Sequence, residues 1–147
     1  MLASLKRLIG GLAASGVPHM FAADDERVAA AALLVHVATV DGVVHVSERQ
    51  RLQRLLVESY GLPVAETDLL IAAAERREVE ANDIQDLVDL VRRKVDAGGR
   101  ARLVEMMWEM AYADGHLHEF EENLVERVAM MLGVPPGHGA RRLERDG

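Results

Sequence analysis

The strongest constraint on this chain is a short pattern that occurs twice. One copy runs Ala38-Thr-Val-Asp41-Gly42-Val-Val-His45-Val-Ser-Glu48, and the other Ala111-Tyr-Ala-Asp114-Gly115-His-Leu-His118-Glu-Phe-Glu121. Ala, Asp, Gly, His and Glu recur in one order, 73 positions apart (41 and 114, 45 and 118, 48 and 121). The apolar flanks match as well, with Leu33-Leu34-Val35 before one copy and Met106-Met107-Trp108 before the other. A helical stretch follows each copy and closes on Gly61-Leu62-Pro63 or Gly133-Val134-Pro135. A supersecondary unit used twice is the direct reading: two helix–turn–helix repeats carrying the same polar residues on both turns.

The rest of the chain reads as helix. Half the residues are hydrophobic but only 3% are aromatic, so the core must be Leu, Val, Ala and Met. Their spacing is helical and nowhere strictly alternating. Asp24-Asp25-Glu26 opens a first helix with acids at its positive end, and Val28, Ala31, Ala32, Val35 and Ala38 form its apolar positions. Gly42 is its stop. Ser47 is the expected N-cap of the next helix, with Gln50 completing a capping box, and Leu52, Leu55, Leu56 and Tyr60 form its stripe. Pro63 suits the first turn of a third helix, about 64–76. Asn82 is the expected cap of a fourth, with Ile84, Leu87, Val88, Val91 and Val95 on one face and Arg92-Arg93-Lys94 near its negative end. Gly98-Gly99 is expected to break it. Helices over 100–113 and about 119–132 complete the chain. The expectation is a single all-α domain of about six or seven helices, with the two repeats related by a pseudo-twofold. It spans 24–134, between an amphipathic or flexible N-terminal segment, 1–23, and a flexible tail, 135–147.

Composition excludes several functions. The formal charge of −7 argues against nucleic acid as a partner, because phosphate binding needs a basic surface. It fits attraction of cations or basic partners. Without cysteine there is no disulfide framework, thiolate metal site or cysteine nucleophile, which fits the cytoplasm. No stretch approaches the ~20 apolar residues of a membrane-spanning helix.

Chemistry concentrates on the repeated turns. Asp41 and Asp114 each sit at a helix C-terminus, where the dipole disfavours an acid. Each needs a compensating group: backbone N–H donors of its own turn, a nearby cation, or a metal ion. Glu48 and Glu121 lie in the first turn of the next helix, where the dipole favours them. With Gly42 or Gly115 as the sixth residue of a calcium loop, Glu48 or Glu121 falls on the twelfth. The first and third positions are then Val37 and Thr39, or Met110 and Tyr112, which do not supply the hard oxygens calcium needs. His45 and His118 shift the preference to Zn, Mn or Fe. The candidate ligands are therefore Asp41, His45, Glu48, Asp114, His118 and Glu121, pooled only if the two turns meet. Acid–base catalysis by the same groups, as in a metal-dependent hydrolase, has no nucleophile or phosphate loop beside it. No enzyme activity is expected. His36 reads as a satisfied, partly buried histidine, the Met cluster as flexible core, and Trp108 as a contact point if exposed.

At these turns the chain resembles the tellurite-resistance protein B (TerB-like) family, over about residues 25–134. Its hallmark Ala-x-x-Asp-Gly-x-x-x-x-x-Glu segments are present as Ala38/Asp41/Gly42/Glu48 and Ala111/Asp114/Gly115/Glu121. The resemblance implies an all-helical accessory domain of tellurite and metal stress responses, with a protein partner and peripheral association at the inner membrane face. It carries over the Asp and Glu positions only.

Overall fold

A computed structural model describes residues 21–22, 24–39, 46–81, 83–112 and 119–135. Among them are six helices and no strand: α1 (Glu26–Ala38), α2 (Val46–Tyr60), α3 (Val64–Glu80), α4 (Ile84–Lys94), α5 (Ala97–Ala111) and α6 (Glu119–Leu132). The all-α expectation holds. Nearly all of the N-terminal segment and of the tail lies outside the described residues.

The packing is centred on α1. Every residue from Val28 to Val35 is buried, and so are Val37 and Ala38. The five positions read from the sequence as one face are thus part of a helix buried almost all round, which is what a sequence apolar on every side produces. The run Ala29–Ala32 lets neighbouring backbones approach closely. α1 packs chiefly on α3, α4 and α5 and also touches α2 and α6. α5 packs closely on α6. Met106, Met107 and Met110 are buried, as is Trp108 at 3% exposure, so the tryptophan belongs to the core and is no contact point.

The 73-residue spacing recurs at helix boundaries. α1 and α5 end 73 positions apart, and α2 and α6 start 73 apart. The residues closing α1 and α5, Thr39 and Tyr112, share one conformation (φ −104°, ψ 8° and φ −95°, ψ 7°). Gly61 and Gly133 end α2 and α6 with φ of +66° and +77°, a region that glycine enters without a Cβ penalty.

Several helix ends differ from the sequence expectation. Asp25 caps α1 as its acidic start suggested, accepting from the Arg27 backbone N–H at 2.8 Å. Ser47 does not cap α2. The helix already includes Val46, which places Ser47 inside the first turn. α4 is capped by Asp83, whose carboxylate accepts from Gln85 N–H at 2.9 Å, and Asn82 lies outside the described residues. α3 continues four residues past Arg76 to Glu80, held by Glu78, which pairs with His36 of α1 at 2.9 Å. Gly98-Gly99 is not the break between α4 and α5. The chain turns at Val95 and Asp96, and both glycines lie in the first turn of α5. Asp96 makes this workable, since its carboxylate accepts from Gly99 N–H at 2.8 Å. Gly99 is also required sterically, because a Cβ there would come 2.5 Å from Val95 Cγ1.

Candidate functional site

Two of the six candidate ligands, Glu48 and Glu121, are among the described residues. Asp41, His45, Asp114 and His118 lie outside them, together with Gly42, Gly115 and His116. Glu48 is the third residue of α2 and Glu121 the third of α6. From that position a carboxylate reaches back over the start of its helix, where unpaired N–H groups and the dipole both favour it.

Both glutamates are buried, each to 4% exposure. Ordinary first-turn acids point into water, and Glu119 in the same turn of α6 is exposed. Burying a carboxylate is costly unless it is hydrogen-bonded, paired or metal-bound. Two carboxylates at equivalent positions, the starts of α2 and α6, are thus withdrawn from water. The signal was present in the sequence. Glu48 lies on the stripe of Leu52, Leu55 and Leu56, and Glu121 on that of Leu124, Val125, Val128 and Leu132. The third described buried polar residue, Thr67, has a local explanation: its hydroxyl donates to the Pro63 carbonyl at 3.0 Å.

No group of three or more His, Asp or Glu side chains placed to hold a metal occurs among the described residues. His36 is partly buried and its Nδ1 lies 2.9 Å from Glu78 Oε2, so it fastens α1 to α3.

Sequence reasoning missed Phe120. It stands 74% exposed as the second residue of α6, flanked by Glu119, Glu121 and Glu122. Its signal is its place one residue off the apolar stripe. A second missed feature is an open cleft of about 420 Å³ between the start of α1, the end of α2 and the first turns of α5. Leu103 and Met106 form its apolar floor, and Arg27, Tyr60, Lys94 and Arg102 stand around it. Burial raises the Tyr60 hydroxyl above its ordinary value, and Glu26 adds to this, so it remains a neutral donor. Beside the cleft, burial works to raise the Asp25 carboxyl. The Arg27 guanidinium and backbone N–H donate to it and hold it below the ordinary 3.8. The same guanidinium lies 4.9 Å from the centre of the Phe21 ring.

A protein-family model described as "Tellurite resistance protein TerB" matches residues 27–142. No curated protein and no solved structure matches the chain.

Proposed function

This chain belongs to the tellurite resistance protein TerB family, and on that premise we propose that it is an accessory domain of the tellurite or metal stress response that works by contact with another protein. It acts in the cytoplasm, without a catalytic reaction of its own. The observation that carries this reading is the start of α6. There Phe120 is exposed among acids, inside the second copy of the family's motif and one residue before its closing Glu121. An exposed aromatic ring gains from being covered and offers an anchor for a protein contact. Among the described residues no helix is long and apolar enough to cross a membrane, so any membrane association of this part is peripheral.

The test is growth on tellurite of a host whose own TerB-family gene is deleted. The intact chain restores growth, and Phe120→Ser, which leaves the folded core untouched, loses at least half of the protection. Equal growth with and without the intact chain sinks the reading.

A second reading, a divalent-metal site built on the repeated turns, is favoured by the burial of Glu48 and Glu121. In it the two glutamates act with Asp41, His45, Asp114 and His118, and Zn, Mn or Fe suits the set better than Ca. Saturation at 100 times the dissociation constant raises stability by about 2.7 kcal/mol. Thermal unfolding in graded Zn, Mn and Ca reads this directly. The gain disappears in Glu121→Gln, and no gain with any of the three ions removes the reading.

A further inference from the structure

The two sides of α6 differ. Leu124, Val125, Val128 and Leu132 are buried, and the helix packs on α5, α4 and α1. Glu119, Phe120, Asn123, Glu126, Arg127 and Met130 form the outer side and are exposed. Five large hydrophobic side chains are exposed among the described residues. Three are valines set singly at helix ends, Val46 of α2 and Val64 and Val79 of α3. The other two, Phe120 at 74% and Met130 at 75%, share the outer side of α6. Ten residues of helix separate them, about 15 Å. Aromatic, Met and Arg side chains are the types that protein interfaces enrich, and Arg127 stands between these two.

The charge beside them is one-sided. Glu119, Glu122 and Glu126 follow at i, i+3 and i+7, which lines them along one edge of this side. None of the three is in a salt bridge among the described residues. The helix dipole favours Glu119 and Glu122 in the first turn. Glu126 lies beyond that turn and four residues from Glu122, a spacing at which like charges repel. The positions four residues on, where a cation would relieve each acid, hold Asn123, Glu126 and Met130.

We propose that this side of α6 receives a cationic amphipathic helix of a partner protein. Its apolar residues cover Phe120 and Met130, and its Lys or Arg residues meet the three glutamates. The proposal rests on the reading above, with Phe120 as a protein contact, and adds the chemistry of the partner. Charge selects the class. The three glutamates repel an anionic membrane surface and a nucleic acid. A second copy of the chain brings its own net charge of −7. Two apolar anchors about three turns apart on one straight helix are matched by a second helix laid along it, whose own apolar residues recur every three to four positions.

A dye-labelled synthetic helix of Leu and Lys, about 18 residues long with Leu on one face, is titrated with the full chain and read by fluorescence anisotropy. It binds, and binding weakens as salt is raised. A twin with Glu in place of Lys does not bind. Phe120→Ser and Met130→Ser each weaken binding about tenfold or more. Glu122→Gln together with Glu126→Gln weakens it and flattens the salt dependence. Val79→Ser and Glu80→Gln, exposed at the end of α3, leave it unchanged. The substituted side chains lie on the surface, so the helical circular dichroism of each variant stays that of the parent. No binding, equal binding of the acidic twin, or Phe120→Ser and Met130→Ser variants that bind like the parent overturn the proposal. So does a loss of equal size in the α3 variants, which reads only a general attraction to an acidic chain. So does a sedimenting mass above the 16.1 kDa of one copy that Phe120→Ser abolishes, since a second copy is then the occupant. The tellurite growth assay is read separately. A chain that binds the helix without restoring growth defeats only the stress-response reading. One that restores growth and needs Phe120, yet ignores the helix, defeats only the cationic partner.

Discussion

At the scale of single residues, the buried glutamates separate two accounts of the repeated turns. If Glu48 and Glu121 hold the starts of α2 and α6 together, Glu48→Ala and Glu121→Ala each lose about 1–3 kcal/mol, the cost of breaking buried polar contacts. Gln, with the same shape and no charge, isolates the electrostatic part. Urea denaturation of the four variants measures both, and Ala variants within 0.5 kcal/mol of the parent would show that burial alone carries no structural weight. The stripe of apolar residues made this burial legible from the sequence, since Leu52 and Leu124 each have a glutamate one turn before them. The partners were not legible, because a one-dimensional pattern gives the direction of a side chain and not what faces it. Asp25 gives a pH prediction. Its carboxyl is held below the ordinary 3.8 in the folded chain. The stability it contributes is therefore fully present above that value and is lost as pH falls through its lower folded value. Asp25→Ala loses the N-cap, about 1 kcal/mol at neutral pH. The gap between variant and parent narrows below pH 3.8, which acid-dependent thermal unfolding reads.

At the scale of helices, the ends were harder to read than the bodies, and α4 and α5 show why. Two consecutive glycines are the strongest breaking signal in the region, yet the break falls three residues earlier, at Val95 and Asp96. Asp96 supplies a carboxylate to the Gly99 N–H, and the space beside Val95 admits no Cβ at position 99. The two glycines therefore differ. Gly99→Ala forces a methyl group onto Val95 and destabilises by about 1–3 kcal/mol. Gly98→Ala meets only Asp96 Oδ1 at 3.8 Å and stabilises by up to about 1 kcal/mol through helix propensity. Thermal melts of the pair give opposite signs, and equal effects would refute the packing argument. α3 makes the same point from the other direction. Its last turn, Arg77–Glu80, has no strong sequence signal and is fixed by the long-range pair of Glu78 with His36. Where the stop is local, as at Gly61 and Gly133, sequence and structure coincide.

At the scale of the whole molecule, α1 is the element on which the others are assembled. Leu33 and Leu34 are fully buried within it, so Leu33→Ala should cost about 2–5 kcal/mol. Ala31, also fully buried, faces neighbours that came close because it is small, and Ala31→Leu should cost about 1–3 kcal/mol by overpacking. Chemical denaturation checks both, and a tolerated Ala31→Leu would mean that α1 is not central. The all-α class, the stripes of α2 and α4, the repeated motif and the family were all determined by the sequence alone. Periodicity, capping chemistry and a doubled motif are local properties, and each is written within a few turns of chain. Only the tertiary structure decided that α1 is enclosed on nearly every side, that α4 ends before Val95 and Asp96 opens α5 ahead of the glycines, and that Phe120 is left in water while two glutamates are buried. Those outcomes depend on which surfaces meet across the fold. The free energy of burial belongs to the pair of surfaces and to neither segment by itself.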